Sequence, residues 1–349
     1  MEHSGESPDH SPPSFTALAD LASARVGGRA VAANDEFFAP RSNLVRPAPP
    51  VFVPDKFTTR GKWMDGWESR RRRVPGHDWC VIQLGIRGLI RGVVVDTSFF
   101  TGNHPSHCSI DALDSPRVVS RTLAALEGAP WTPLLEKAAL RGNAHNYFAF
   151  ETTSPDAASA WTHVRLNIFP DGGVARLRVH GDAAVDWTRI AQAGRPVDLA
   201  AIEHGGMVLQ ASDMHFGARG NMIMPGRAAN MGDGWETRRR RGDGHDWAIV
   251  RLGTPGDIVR VEIDTNHFKG NYPDRASIDG CFAPAATVEA LPRADWTVVL
   301  PETKLKPHHR HLFSRELQRT GPVSHVRLNI FPDGGISRLR VHGTVAAPR

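Results

Sequence analysis

The chain has 349 residues, 40% hydrophobic and 23% charged, with a formal net charge of +5. That length suits about two domains, and no apolar run approaches the ~18 residues that a membrane-spanning helix requires. Acids are interspersed among the arginines, so the excess base admits an anionic ligand without arguing for nucleic acid. Three cysteines without CxxC spacing, Cys80, Cys108 and Cys281, fit reduced thiols rather than a disulfide framework.

Residues 1–19 are polar and proline-containing, lack a signal-peptide layout, and read as a disordered tail. Helical periodicity is weak after that, with candidates only at Leu18–Ala24 and Leu123–Glu127. "NDEFF" (Asn34–Phe38) stacks an amide, two carboxylates and two aromatics. Adjacent acids in an extended segment point to different sides, so one at most faces a given pocket. Glu36 is therefore a candidate general base, with Asn34 and Asp35 as ligand contacts.

"GWESRRRR" follows. Were it a strand, one arginine pair would enter the core and would have to meet acids or an anionic ligand. Asp65, Glu68 and Asp78 are close in sequence. Glu68 is taken as an acid–base candidate and Arg70 as a carboxylate clamp. The His77–Asp78 pair in "GHDW" is either a proton-transfer unit or an Asp-capped surface turn. "CVIQLG" (Cys80–Gly85) and "LIRGVVVDT" (Leu89–Thr97) read as two adjacent strands. The second ends in a Gly-Asn loop, where Asn103 offers a donor and an acceptor to a planar amide or urea group. "HVRLNIF" (His163–Phe169) alternates, "PDGG" turns, and "RLRVHG" alternates again, which predicts an antiparallel hairpin.

All of this is written twice. "DGWESRRRRVPGHDW" returns as "DGWETRRRRGDGHDW", "VDTSFFTGNHP" as "IDTNHFKGNYP", and "HVRLNIFPDGG" recurs unchanged at His325. The offset falls from 178 to 162 residues along the chain, so the second copy carries loop deletions. The largest removes about ten residues around "RPAPPVFVPDKF". The expected layout is a first repeat at 20–181, a linker at 182–197, a second repeat at 198–343 and a tail at 344–349. The fold class is all-β, a tandem duplication of an eight-stranded jelly-roll sandwich with few short helices.

The second copy adds Glu236, Arg238, Lys269 and Asn271 as candidates, together with His308 and His311 in "KPHHRHLF". The His308–His311 spacing is short for a helical zinc pair, and no cysteine or acid stands at a standard interval. No metal or cofactor is therefore expected, a divalent metal being the alternative, and His311 is read as acid–base and His308 as ligand-contacting. The copies disagree where Asn34, Glu36 and Phe37 become Ser212, Met214 and His215. If that loop is catalytic, the repeats cannot hold equivalent sites. No GxGxxG, P-loop, GxSxG or HExxH motif is present.

Taken in order, "NDEFFAPRSNL", "DGWE[ST]RRRR…GHDW", "DTSFFTGN", "DTNHFKGNYPD" and the doubled "HVRLNIFPDGG…RLRVHG" closely resemble the allantoicase family, from about Gly27 to Gly343. The resemblance implies paired galactose-binding-like jelly rolls. It also implies a cytoplasmic, homo-oligomeric hydrolase of ureido C–N bonds, converting allantoate to ureidoglycolate and urea in allantoin degradation. Neither nucleic acid nor membrane is an expected partner. A non-catalytic tandem module for a small anionic or sugar-like ligand is the competing reading.

Overall fold

The computed structural model describes residues 11–115, 126, 128–150 and 159–346. The chain divides into two units, 1–182 and 183–349. In the first, the strands are β1 (Ala19–Asp20), β2 (Arg29–Ala33), β3 (Phe57–Thr58), β4 (Gly61–Lys62), β5 (Trp67–Glu68) and β6 (Asp78–Asp96). They continue as β7 (His107–Leu113), β8 (Thr132–Ala139), β9 (His145–Ala149), β10 (Trp161–Phe169), β11 (Gly173–Val174) and β12 (Arg176–Ala183). Eight of them follow the order β1-β12-β6-β10-β7-β8, with β2 and β9 also pairing to β6.

The second unit repeats the plan. Its strands are β13 (Val197–Asp198), β14 (Met207–Ala211), β15 (Trp235–Glu236), β16 (Asp246–Asp264) and β17 (Arg275–Cys281). Then come β18 (Thr297–Lys304), β19 (Arg310–Phe313), β20 (Val323–Phe331), β21 (Gly335–Ile336) and β22 (Arg338–Val345), ordered β13-β22-β16-β20-β17-β18.

The two predicted strands 80–85 and 89–97 are one continuous strand of 19 residues, β6. Its glycines let the strand pass close to neighbouring backbone instead of turning it. A Cβ on Gly85 would lie 2.3 Å from the Val26 carbonyl oxygen, and one on Gly88 2.4 Å from that of Asp182. In the second unit, the first half of β16 lies between β14 and β20, and its second half pairs β19 and β22. In the first unit β6 likewise pairs β2 and β10 along its first half and β9 along its second, and both its ends are buried on both faces.

The predicted closing hairpin is also corrected. β10 and β12 do not pair with each other, because β6 stands between them. The "PDGG" segment, with Gly172 at φ +135°, instead leads into β11, which pairs with β5. The tetra-arginine block is not in a strand either. The arginine that does enter the first core is Arg176, 1% exposed. It bonds Asp65 Oδ2 at 2.8 Å and the carbonyls of Asp65, Ala175 and Ala48. Arg338 and Asp233 repeat the pair in the second unit.

Leu18–Ala24 forms a short strand, a turn and the start of a 3-10 turn, not a helix. Leu123–Glu127 lies outside the described residues except for Leu126, which is buried. Of the expected disordered tail, residues 11–19 are structured: Ser14–Ala17 form a 3-10 turn that buries Phe15 against His180. The expected linker contains helix α1 (Trp187–Ala193), capped by Asp186. Among the described residues no helix is long and apolar enough to cross a membrane. All three cysteines are free and buried.

Candidate active site

The segment 66–69 alternates between core and cleft. Trp67 is fully buried, and its indole N–H donates to the Asp35 carbonyl at 2.8 Å. Glu68, its neighbour, points the other way. Its backbone is held on both sides, by Ala39 and by Gly173 of β11. Gly66 and Gly173 flank the buried ring of Phe100, where any Cβ would clash.

Phe100 belongs to the loop after β6. Phe99 there adopts φ +69°, with its N–H bonded to Asn143 Oδ1 at 2.8 Å. The loop ends at Asn103, whose carbonyl accepts from Gly173 and whose side-chain amide donates to Glu68 Oε1 at 2.8 Å. These groups line a cleft of about 400 Å³ with Phe38, Phe52, Gly61, Lys62, Met64 and Thr101. Phe52 stacks on Phe99 with centroids 5.6 Å apart, and the Lys62 ammonium lies 4.6 Å from the Phe52 ring centre.

Burial raises the Glu68 pKa, and the Asn103 bond only partly offsets it. Glu68 is the one carboxyl group among the lining residues, and Lys62 the one cation. A carboxyl group whose pKa burial raises, two amides and an ammonium over aromatic walls suit a small planar polar ligand bearing a negative charge.

The structure brings together Glu68 and Asn103 of the predicted set, and in the second unit Glu236 and Asn271, whose side chains are hydrogen-bonded. It disperses the rest. Asp35 and Glu36 point apart, as adjacent acids should. Burial acts to raise the Asp35 pKa, but the N–H groups of Phe37 and Arg70 and the Arg70 guanidinium outweigh it and lower the value. Glu36 is taken up by the Arg41 guanidinium and backbone N–H. Asn34 joins its loop to β6, accepting from the Trp79 N–H and donating to Asp78. Arg70 pairs with Asp35 at 2.7 Å and is largely exposed, and Arg238 pairs with Asp213 at 3.2 Å. Neither Arg70 nor His77 lines the cleft.

His77 packs on Phe169 at 4.7 Å and bonds Asn167. Burial lowers its pKa, aided by Arg165 and Arg72. Its sequence neighbour Asp78 is held by Arg72 at 2.7 Å. His311 is buried with both ring nitrogens serving backbone, Nδ1 toward Ile263 and Nε2 toward Lys306. His308 Nδ1 accepts from the His267 N–H at 2.8 Å, the role Asn143 plays in the first unit. Lys269 is exposed. Among the described residues no three His, Cys, Asp or Glu side chains converge as a metal site.

Phe52, Lys62, Phe99 and Asn143 are absent from the sequence-based set. One signal pointed toward Phe52, which lies in the "RPAPPVFVPDKF" segment around which the second copy carries its largest deletion; Lys62 lies just beyond it.

The chain matches the family model described as "Allantoicase repeat" twice, over residues 19–184 and 197–346. It is 49% identical over 340 residues to "Probable allantoicase 1" of Burkholderia mallei, covering 97% of this chain and 98% of that protein. It is 48% identical over 347 residues to "Probable allantoicase" of Pseudomonas aeruginosa, covering 97% and 99%. The crystal structure of allantoicase from Saccharomyces cerevisiae superposes with a TM-score of 0.79 at 33% identity, covering 93% of each chain. With two family repeats spanning both units and relatives matched end to end, the chain belongs to the allantoicase family.

Proposed function

We propose that the chain hydrolyses allantoate to ureidoglycolate and urea, and that the first unit's cleft is where it does so. The observation that supports the site is Glu68, a carboxyl group whose pKa burial raises, held by Asn103 inside an aromatic-walled cleft. Allantoate carries one carboxylate and two ureido groups on a single carbon. Asn103 and Asn143 suit the planar ureido N–H and C=O groups.

The chemistry needs a proton for the departing nitrogen. Glu68, protonated, donates to one ureido nitrogen as its bond to the central carbon breaks. The lone pair of the other ureido nitrogen forms a C=N bond as urea leaves. Glu68, now ionised, takes a proton from water as the oxygen adds to that carbon, giving ureidoglycolate. One carboxyl group thus acts first as acid and then as base. Glu36, His77 and His311 are engaged elsewhere by Arg41, Phe169 with Asn167, and backbone, so this reading does not use them.

A cytoplasmic homo-oligomer remains part of the proposal, to be checked by light scattering and fractionation. The direct test incubates pure protein with allantoate and measures urea and ureidoglycolate, with and without chelator. Folded protein that releases no urea refutes the proposal. Activity lost to chelator and restored by a divalent ion refutes the metal-free form of it.

A further inference from the structure

We propose that Lys62, carried on a strap found only in the first repeat, is the residue that recognises the substrate carboxylate. This rests on the allantoate reading above. Sequence patterning put that task on the arginine block, but Arg70 and Arg72 are committed to Asp35 and Asp78, and no arginine lines the cleft.

The strap is defined by one repeated contact. In the first unit the Val51 N–H donates to Asp65 Oδ2 at 3.0 Å, and in the second the Ala229 N–H donates to Asp233 Oδ2 at the same distance. Between these anchors and the aspartates, residues 52–64 stand where the second copy has only 230–232. Counted forward from one anchor Phe52 falls on Asn230, and counted back from the other Lys62 does, so the second copy has neither the aromatic nor the cation.

The strap is held against the first unit at several points. Its β3–β4 hairpin is closed by a Trp63 N–H bond to the Lys56 carbonyl, and Arg60 Nη1 bonds the Phe37 carbonyl at 2.8 Å. Phe52 meets Phe99 face to face across the cleft, and Lys62 lies beside Phe52. An ammonium on a flexible stem, with aromatic walls that displace water, strengthens a charge contact to a carboxylate at the cleft mouth. Glu68 and the two amides remain for the ureido groups. The second unit keeps its Glu236–Asn271 pair without this cation.

The test compares allantoate with its neutral carboxamide as substrates for wild type, Lys62→Met, Lys62→Arg and Phe52→Leu. Loss of one charge-assisted contact raises KM for allantoate about 10- to 100-fold in Lys62→Met. kcat and carboxamide turnover stay near wild type, so the preference for the charged substrate disappears. Lys62→Arg restores it, and Phe52→Leu weakens both substrates alike. Lys62→Met that keeps the charge preference, or that loses both substrates equally, overturns the inference. Wild type that releases no urea from allantoate overturns the allantoate reading, and this inference with it.

Discussion

Asn103 and Glu68 lie 35 residues apart, and the amide of one donates to the carboxyl of the other at 2.8 Å. Asn271 and Glu236 make the same bond in the second unit. Duplication preserved the pair, while the strap that closes over it exists only once. Turnover should therefore be unequal between the two. Glu68→Gln is expected to lower kcat by about 10²–10⁴-fold, the loss of a proton-transfer group. Glu236→Gln should leave kcat within a factor of about three, since no such group is lost from the working cleft. Steady-state urea release from both folded variants decides this, and equal losses would place turnover in both units.

The Asn103 bond stabilises the ionised form of Glu68 against the burial that raises its pKa. Asn103→Leu removes that opposition, so the Glu68 pKa should rise further. Because the protonated carboxyl group is the donor, activity falls as pH climbs through this pKa. The alkaline limb of the kcat profile should then move to higher pH in the variant. A limb that stays in place, or moves down, contradicts the assignment of Glu68 as acid.

Arg176 and Asp65 form a pair buried beneath the strap, with Asp65 also holding the Val51 N–H. Arg176→Met leaves the buried Asp65 carboxylate only the exposed Arg46 at 3.4 Å and the Val51 N–H, which costs on the order of 3 kcal/mol. Arg338→Met should destabilise the second unit by a similar mechanism. The variants should separate in function: only Arg176→Met loosens the strap and raises KM for allantoate. Urea denaturation and kinetics on the same preparations check both halves of the statement.

His325 is buried in β20, and burial, with Arg251 nearby, pushes its pKa down to about 4. The unfolded chain takes up this proton near pH 6.5 while the fold resists it. The stability His325 contributes is therefore complete above about pH 6.5 and is lost as pH falls toward about 4. At about 1.4 kcal/mol per pKa unit the loss is on the order of 3 kcal/mol. His325→Gln should flatten that part of the stability–pH curve. A curve as steep as wild type would assign the effect to other groups.

Much of the architecture could be read from the chain itself. Alternation in "HVRLNIF" and its repeat specified strands, because a half-buried strand must place apolar residues on one face. The falling offset located the missing loop, because a deletion leaves the flanking motifs intact. What alternation does not encode is which strand lies beside which. Gly85 and Gly88 look like turn residues in sequence, yet they mark close backbone approaches within one strand, β6. So 80–85 and 89–97, expected as two adjacent strands, are one strand, and β10 and β12, expected as a hairpin, are separated by β6.

The sequence alone thus determined two copies of an all-β sandwich, their family, and the place of the largest deletion in the second copy. Tertiary structure decided which polar groups meet. Asp65 is five residues from Arg70 but pairs with Arg176, and Asp35 and Asp78 divide Arg70 and Arg72 between them. An ion pair is set by distance and shared burial across the fold, and neither follows from neighbourhood along the chain. The same physics places Phe52 and Lys62 of the strap, and Phe99 of the loop after β6, around Glu68.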